Sequence, residues 1–128
     1  MTPPIFDVVS QSARVRELLG SPVRLYPAGQ NTDAPVVYPY AVWQLIGGAP
    51  VSYLAGRPDA DSYTLQVDVY CDDKPNTNGL ARVRDAAAAL RDAIELSCYV
   101  TSWRGESRDA ETKSFRISFD VDWIVPRN

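Results

Sequence analysis

The sequence predicts an α+β fold: a mostly antiparallel sheet, two helices packed on one face, and a long protruding hairpin. Three observations predict it. Residues 62–72 and 114–125 alternate apolar and polar side chains, the period of two that marks a strand with one buried face. Residues 5–19 and 80–94 repeat their apolar residues at helical spacing. The segments follow in the order helix, short strand, two long strands, helix, two strands. Strands joined by hairpins pair antiparallel and bury one face against helices. The length of 128 residues predicts one domain, residues 1–128, large enough to bury a core without metals or disulfides.

Each element has a local reason. Pro3 and Pro4 suit a helix start, where a missing N–H costs nothing. Ile5, Val8, Val9, Ser12, Val15, Leu18 and Leu19 then form one stripe, and Gly20 is placed to end the helix. Residues 23–26 read as a short strand stopped by Pro27, and the polar residues 28–35 as a surface loop. Residues 36–46 are dense in β-branched and aromatic side chains and predict a strand, with Pro39 at an edge or bulge. Gly47, Gly48, Ala49 and Pro50 interrupt that strand, and residues 51–61 read as a hairpin tip.

In the next strand Tyr63, Leu65, Val67, Val69 and Cys71 share one face, and Thr64, Gln66, Asp68, Tyr70 and Asp72 the other. Asn76 or Thr77 is placed to cap the second helix. That helix carries Leu80, Val83, Ala87, Leu90 and Ile94 on one stripe, and its alanines allow close approach to a sheet. Residues 98–104 and 114–125 form a closing hairpin, joined by the charged and exposed residues 105–113. Phe115, Ile117, Phe119, Val121 and Trp123 are its core face.

Composition excludes several chemistries. There is no histidine, which removes the commonest general base and the usual catalytic zinc sites and triads. No phosphate-binding glycine motif occurs. Cys71 and Cys98 have no CxxC partner and read as buried, reduced thiols. No catalytic residue, metal or cofactor is expected. Asp68, Asp120 and Asp122 would cluster if their strands pair, an arrangement that suits a hard cation. A solvated strand face with Arg116 as counter-charge is the favoured reading. The net charge of −3 does not suit a protein that grips a phosphate backbone. No apolar run approaches the roughly 18 residues of a membrane span, and the N-terminus lacks the features of a secretion signal. The expectation is a protein that stays where it is made.

Trp43 reads as core, while Tyr38 and Tyr40 read either as sheet core or as a recognition surface. Tyr53 and Leu54 lie in the Gly/Pro-bounded tip. They are either a partner contact or a tip folded back on its own sheet.

The chain resembles the tail-completion (tail-terminator, head–tail joining) proteins of long-tailed bacteriophages. The resemblance lies in the order of "LLG" at Leu18 to Gly20, "RLYP" at Arg24 to Pro27, "YPYAVWQ" at Tyr38 to Gln44 and "LQVDVYCDD" at Leu65 to Asp73. The alanine-rich helix and "FRISFDVDWIV" at Phe115 to Val125 complete it. It implies a structural virion subunit, not an enzyme, assembled in the host cytoplasm and placed at the head–tail interface. Such subunits form a hexameric ring that caps the tail tube protein and meets the head connector, or stopper, protein. DNA passes through without specific binding, and no membrane is involved. A ring needs head-to-tail contacts that close on themselves. The hairpin of residues 47–61 is the natural arm, with Tyr53, Leu54, Arg57, Asp59 and Asp61 as candidate contacts. Asn31 and Asp33 in residues 28–35, and Arg108 in residues 105–113, are the next candidates. Two other readings stay open: a small phage-encoded monomeric module that binds or regulates a host protein, and an enzyme that uses only carboxylates.

Overall fold

The computed structural model describes residues 2–28, 36–51 and 56–127. Its elements are α1 (Ile5–Ser10), α2 (Ala13–Leu19), β1 (Leu25–Pro27), β2 (Tyr40–Pro50), β3 (Ala60–Asp72), α3 (Gly79–Ile94), β4 (Tyr99–Asp109) and β5 (Ser114–Pro126). The five strands form one sheet in the order β1-β2-β3-β5-β4. Among the described residues only β1 pairs in parallel, with β2; the other pairings are antiparallel. The α+β fold is therefore the observed one.

β3 is the central strand, paired on one side with β2 and on the other with β5 over its whole length. Its alternation sorts the two faces. Leu65, Val67, Val69 and Cys71 are buried beside Ile117, Phe119, Val121 and Trp123 of β5. Val83, Ala86, Ala87, Leu90 and Ile94 of α3 close over them, and the small alanines let helix and sheet approach closely. α1 and α2 pack against α3 and add Ile5, Val9, Val15 and Leu19 to the core. Among the described residues no helix is long and apolar enough to cross a membrane.

Several local expectations are corrected. The first helix is two helices, because Ser12 adopts an extended backbone and its Oγ accepts from Val15 N–H at 3.2 Å, starting a new helix. Ser12 is thus a cap and not part of the stripe, though the buried residues still line one side. The third helix is not capped by Asn76 or Thr77. It begins after Asn78, which has a left-handed backbone and no side-chain cap bond. Gly79 follows because a Cβ there would overlap the Asp72 carbonyl oxygen.

The first short strand is shifted to Leu25–Pro27. Residues 36–39 lie outside β2, whereas Gly47 to Pro50 lie within it, paired with Thr64 to Asp61. Gly48 does not break the strand because the partner strand supplies its ladder, and its missing side chain lets Ser62 O come close. The irregularity falls instead at Ile46, between Leu45 and Gly47. Ala60 and Asp61, expected in the tip, belong to β3. The charged residues 105–109 are strand and not connection, which leaves only residues 110–113 as the turn. An edge strand keeps one side in water, so charge does not prevent it from forming.

Candidate functional site

The base of the long hairpin is held by the end of the chain. Val51 N–H donates to Ala60 O at 3.0 Å, and Arg127 N–H donates to Asp59 O at 2.6 Å. The Arg127 guanidinium grips Asp61 with both arms, at 2.9 and 2.7 Å, and donates to Pro58 O at 3.2 Å. This two-armed geometry holds the Asp61 carboxyl below the usual carboxylate range. Asp61 thus sits within a clamp that joins β3, β5 and the hairpin.

The sheet face away from the helices is polar, but it is not simply solvated. Asp68 and Asp120 are only 8% and 9% exposed. Asp68 accepts from Gln66 Nε2 at 3.0 Å and from Ser118 Oγ, with the Arg116 guanidinium 3.8 Å away. Asp120 accepts from Arg104 Nε at 2.9 Å and Ser102 Oγ at 3.2 Å. Asp122 accepts from Thr64 Oγ1 at 2.8 Å. The three acids are therefore divided among separate partners, and among the described residues no group suited to holding a metal ion is found. Beside them Tyr40 stacks on Tyr70 with ring centres 5.1 Å apart, and Tyr38 tilts against Tyr40 at 5.6 Å. Burial pushes both the Tyr40 and Tyr70 hydroxyls up from their ordinary range. Trp43 is half-buried and packs against the core from β2, opposite Val67.

The sheet's two lateral edges carry exposed apolar side chains that the sequence reading missed. On one side lie Phe6 of α1, Val36 and Val37 leading into β2, and Leu45 and Ile46 within it, all exposed. Phe6, Pro22, Tyr26 and Trp43 line a groove of about 700 Å³ along this side. On the other side lie Leu96 (88% exposed), Tyr99 (71%) and Trp103, with Ile124 at the end of β5 beyond its pairing with β4. β1 flanks β2 only at Ala41 to Trp43, so no described strand borders residues 44–50. The signal was present in part: residues 44–50 carry no charge, unusual for an exposed edge.

The predicted contact residues are dispersed. Arg57 and Asp59 are exposed near the hairpin base, with Asp61 in the clamp. Arg108 lies near the other end of the sheet, opposite Phe115 and two-armed to Asp73 at 2.6 and 2.5 Å. Phe115 pairs with Cys71, so some ten β3 residues, roughly 33 Å, separate it from Asp61. Tyr53, Leu54, Asn31 and Asp33 lie outside the described residues. Cys71 and Cys98 are free and buried; burial pushes their thiols up to about 11 and about 12.

Comparison with known proteins places this geometry. A chain of the solved structure "Virion of native gene transfer agent (GTA) particle" is similar with a TM-score of 0.73 and 18% identity, over 95% of this chain and 91% of that one. That likeness shows a shared fold. No curated protein sequence matches. The family described as Tail completion protein gp17 matches residues 3–126. With nearly its whole sheet-and-helix framework inside that match, the chain belongs to the tail completion protein gp17 family and is a structural protein of the phage tail, not an enzyme.

Proposed function

We propose that this protein acts as one domain, residues 1–128, in a hexameric ring that caps the tail tube and joins it to the head connector around the DNA channel. The observation that carries the reading is the family match over residues 3–126. The fold supports it, because chemistry-bearing side chains are spent on internal pairs, such as Asp120 with Arg104 and Asp61 with Arg127. The hairpin 51–59 reaches a neighbouring protein, with Tyr53, Leu54, Arg57, Asp59 and Asp61 as its contacts. Asn31, Asp33 and Arg108 serve contacts elsewhere on the subunit. The net charge of −3 suits a lumen through which DNA moves without being retained.

The test is electron microscopy of tails assembled with and without the protein. Rings at the head-proximal end of the tube, and tails that join heads only when the protein is supplied, are the expected result. Tubes that stay bare in excess protein would exclude the reading. A monomer in isolation would not, because a ring of this kind can close on its partner.

A further inference from the structure

We infer that neighbouring copies meet edge to edge, with the β4 edge of one subunit against residues 44–50 of β2 in the next. This rests on the ring reading above and names the surface that builds the ring. A head-to-tail ring needs two unlike patches on opposite sides of one subunit, each complementary to the other. The two edges meet that requirement: Leu45 and Ile46 are exposed on one, and Leu96, Tyr99, Trp103 and Ile124 on the other. The central strand between them exposes no large apolar side chain.

Strand direction agrees. β2 is antiparallel to β3, β3 to β5, and β5 to β4, so β4 runs opposite to β2. A rotation that carries the sheet sideways brings the two edges together antiparallel, the better of the two pairings. Charge agrees as well. Residues 44–50 are uncharged, and the β4 charges already have partners within the subunit: Glu106 with Arg84, Arg104 with Asp120, Arg108 with Asp73, and Asp109 with the Glu111 and Thr112 N–H groups. Closing the contact strands no charge away from its partner. Register shifts between Val100 and Ser102 and between Trp103 and Gly105 interrupt β4. They blunt the edge against indiscriminate strand addition, so the contact is led by side chains and not by a continuous ladder.

The experiment uses the full chain on tail tubes, with Ile46→Cys and Tyr99→Cys in one chain and a short bis-maleimide cross-linker. Cys71 and Cys98 are buried with raised thiol pKa values and do not compete. A ladder of covalent multimers from the double variant, monomers from each single variant, and dimers from a mixture of the two are expected. Rings seen by microscopy without a ladder would overturn the edge contact and leave the ring reading intact. So would dimers from one single variant alone, which mean a two-fold contact, or cross-links that lead only to the tube or connector protein. Absence of rings with the native chain would remove the ring reading and this inference together. As a second arm, Ile46→Glu and Tyr99→Glu should keep the native melting temperature and lower the assembled fraction about tenfold or more, as expected for the loss of one well-buried apolar contact. Native assembly by both would equally overturn it.

Discussion

At the scale of single residues, the clearest stabilising features are buried side chains with one role each. Val67 is fully buried on the helix-covered face of the central strand. Val67→Asp puts an unpaired charge there and should cost about 3 kcal/mol or more, enough to unfold a subunit of ordinary stability; denaturant unfolding would measure it, and a variant with native stability would contradict the packing described. Titration gives a second expectation. Cys71, Cys98, Tyr40 and Tyr70 all have raised pKa values, chiefly because burial disfavours their charged forms. Groups raised in the folded state stabilise it fully below their unfolded pKa, and that stability is lost as pH climbs toward the folded values. Melting temperature should therefore fall from about pH 9 upward, and Cys71→Ala with Cys98→Ala should lessen the fall in a melting series from pH 7 to 11.

At the scale of elements, the short-range signals and the tertiary contacts compete. Alanine favours a helix interior over glycine by ~1 kcal/mol, so Gly79→Ala at the start of α3 would stabilise an isolated helix. In this fold the new Cβ meets the Asp72 carbonyl oxygen, which is backbone and cannot swing aside. The substitution should destabilise by about 1–3 kcal/mol, and an increase in melting temperature would show that α3 has room to move. The hairpin offers the opposite case. Residues 51–59 follow Pro50, the last β2 residue in register with β3; Val51, Pro58 and Asp59 make backbone contacts at the hairpin base, but hairpin tips contribute little to a core. Their deletion should leave a folded subunit, by circular dichroism and melting, while impairing its addition to tail tubes. Normal assembly by the deletion would show that this arm is not a contact.

At the scale of the whole molecule, the uncovered polar face is bound up in its own network. Asp68 and Asp120 are held by Gln66, Ser118, Arg116 and Arg104 and Asp122 by Thr64, and among the described residues no acidic group suited to a cation is found. With a net charge of −3, the subunit should show no gel shift of duplex DNA at physiological salt, where non-specific binders hold DNA with dissociation constants of roughly 10⁻⁴ to 10⁻⁶ M. Retention of DNA in that range would argue against a passive channel wall.

The sequence by itself determined the fold class, the core faces of β3, α3 and β5, and the absence of histidine chemistry. Each of these follows from a periodicity or a composition that reads within a few residues along the chain: Leu65 to Cys71 at period two, Leu80 to Ile94 at helical spacing. Only the tertiary structure decided where elements break and which apolar residues stay uncovered. Gly47 to Pro50 join β2 because β3 lies alongside to take their hydrogen bonds, and residues 105–109 become strand because β5 does the same. Leu45 and Tyr99 read as ordinary strand residues, and both are exposed: Leu45, opposite Leu65, lies past the stretch of β2 that β1 flanks, and Tyr99, opposite Asp122, lies on the sheet face away from the helices. Pairing partners and helix coverage depend on residues far away in sequence, and no local pattern encodes them.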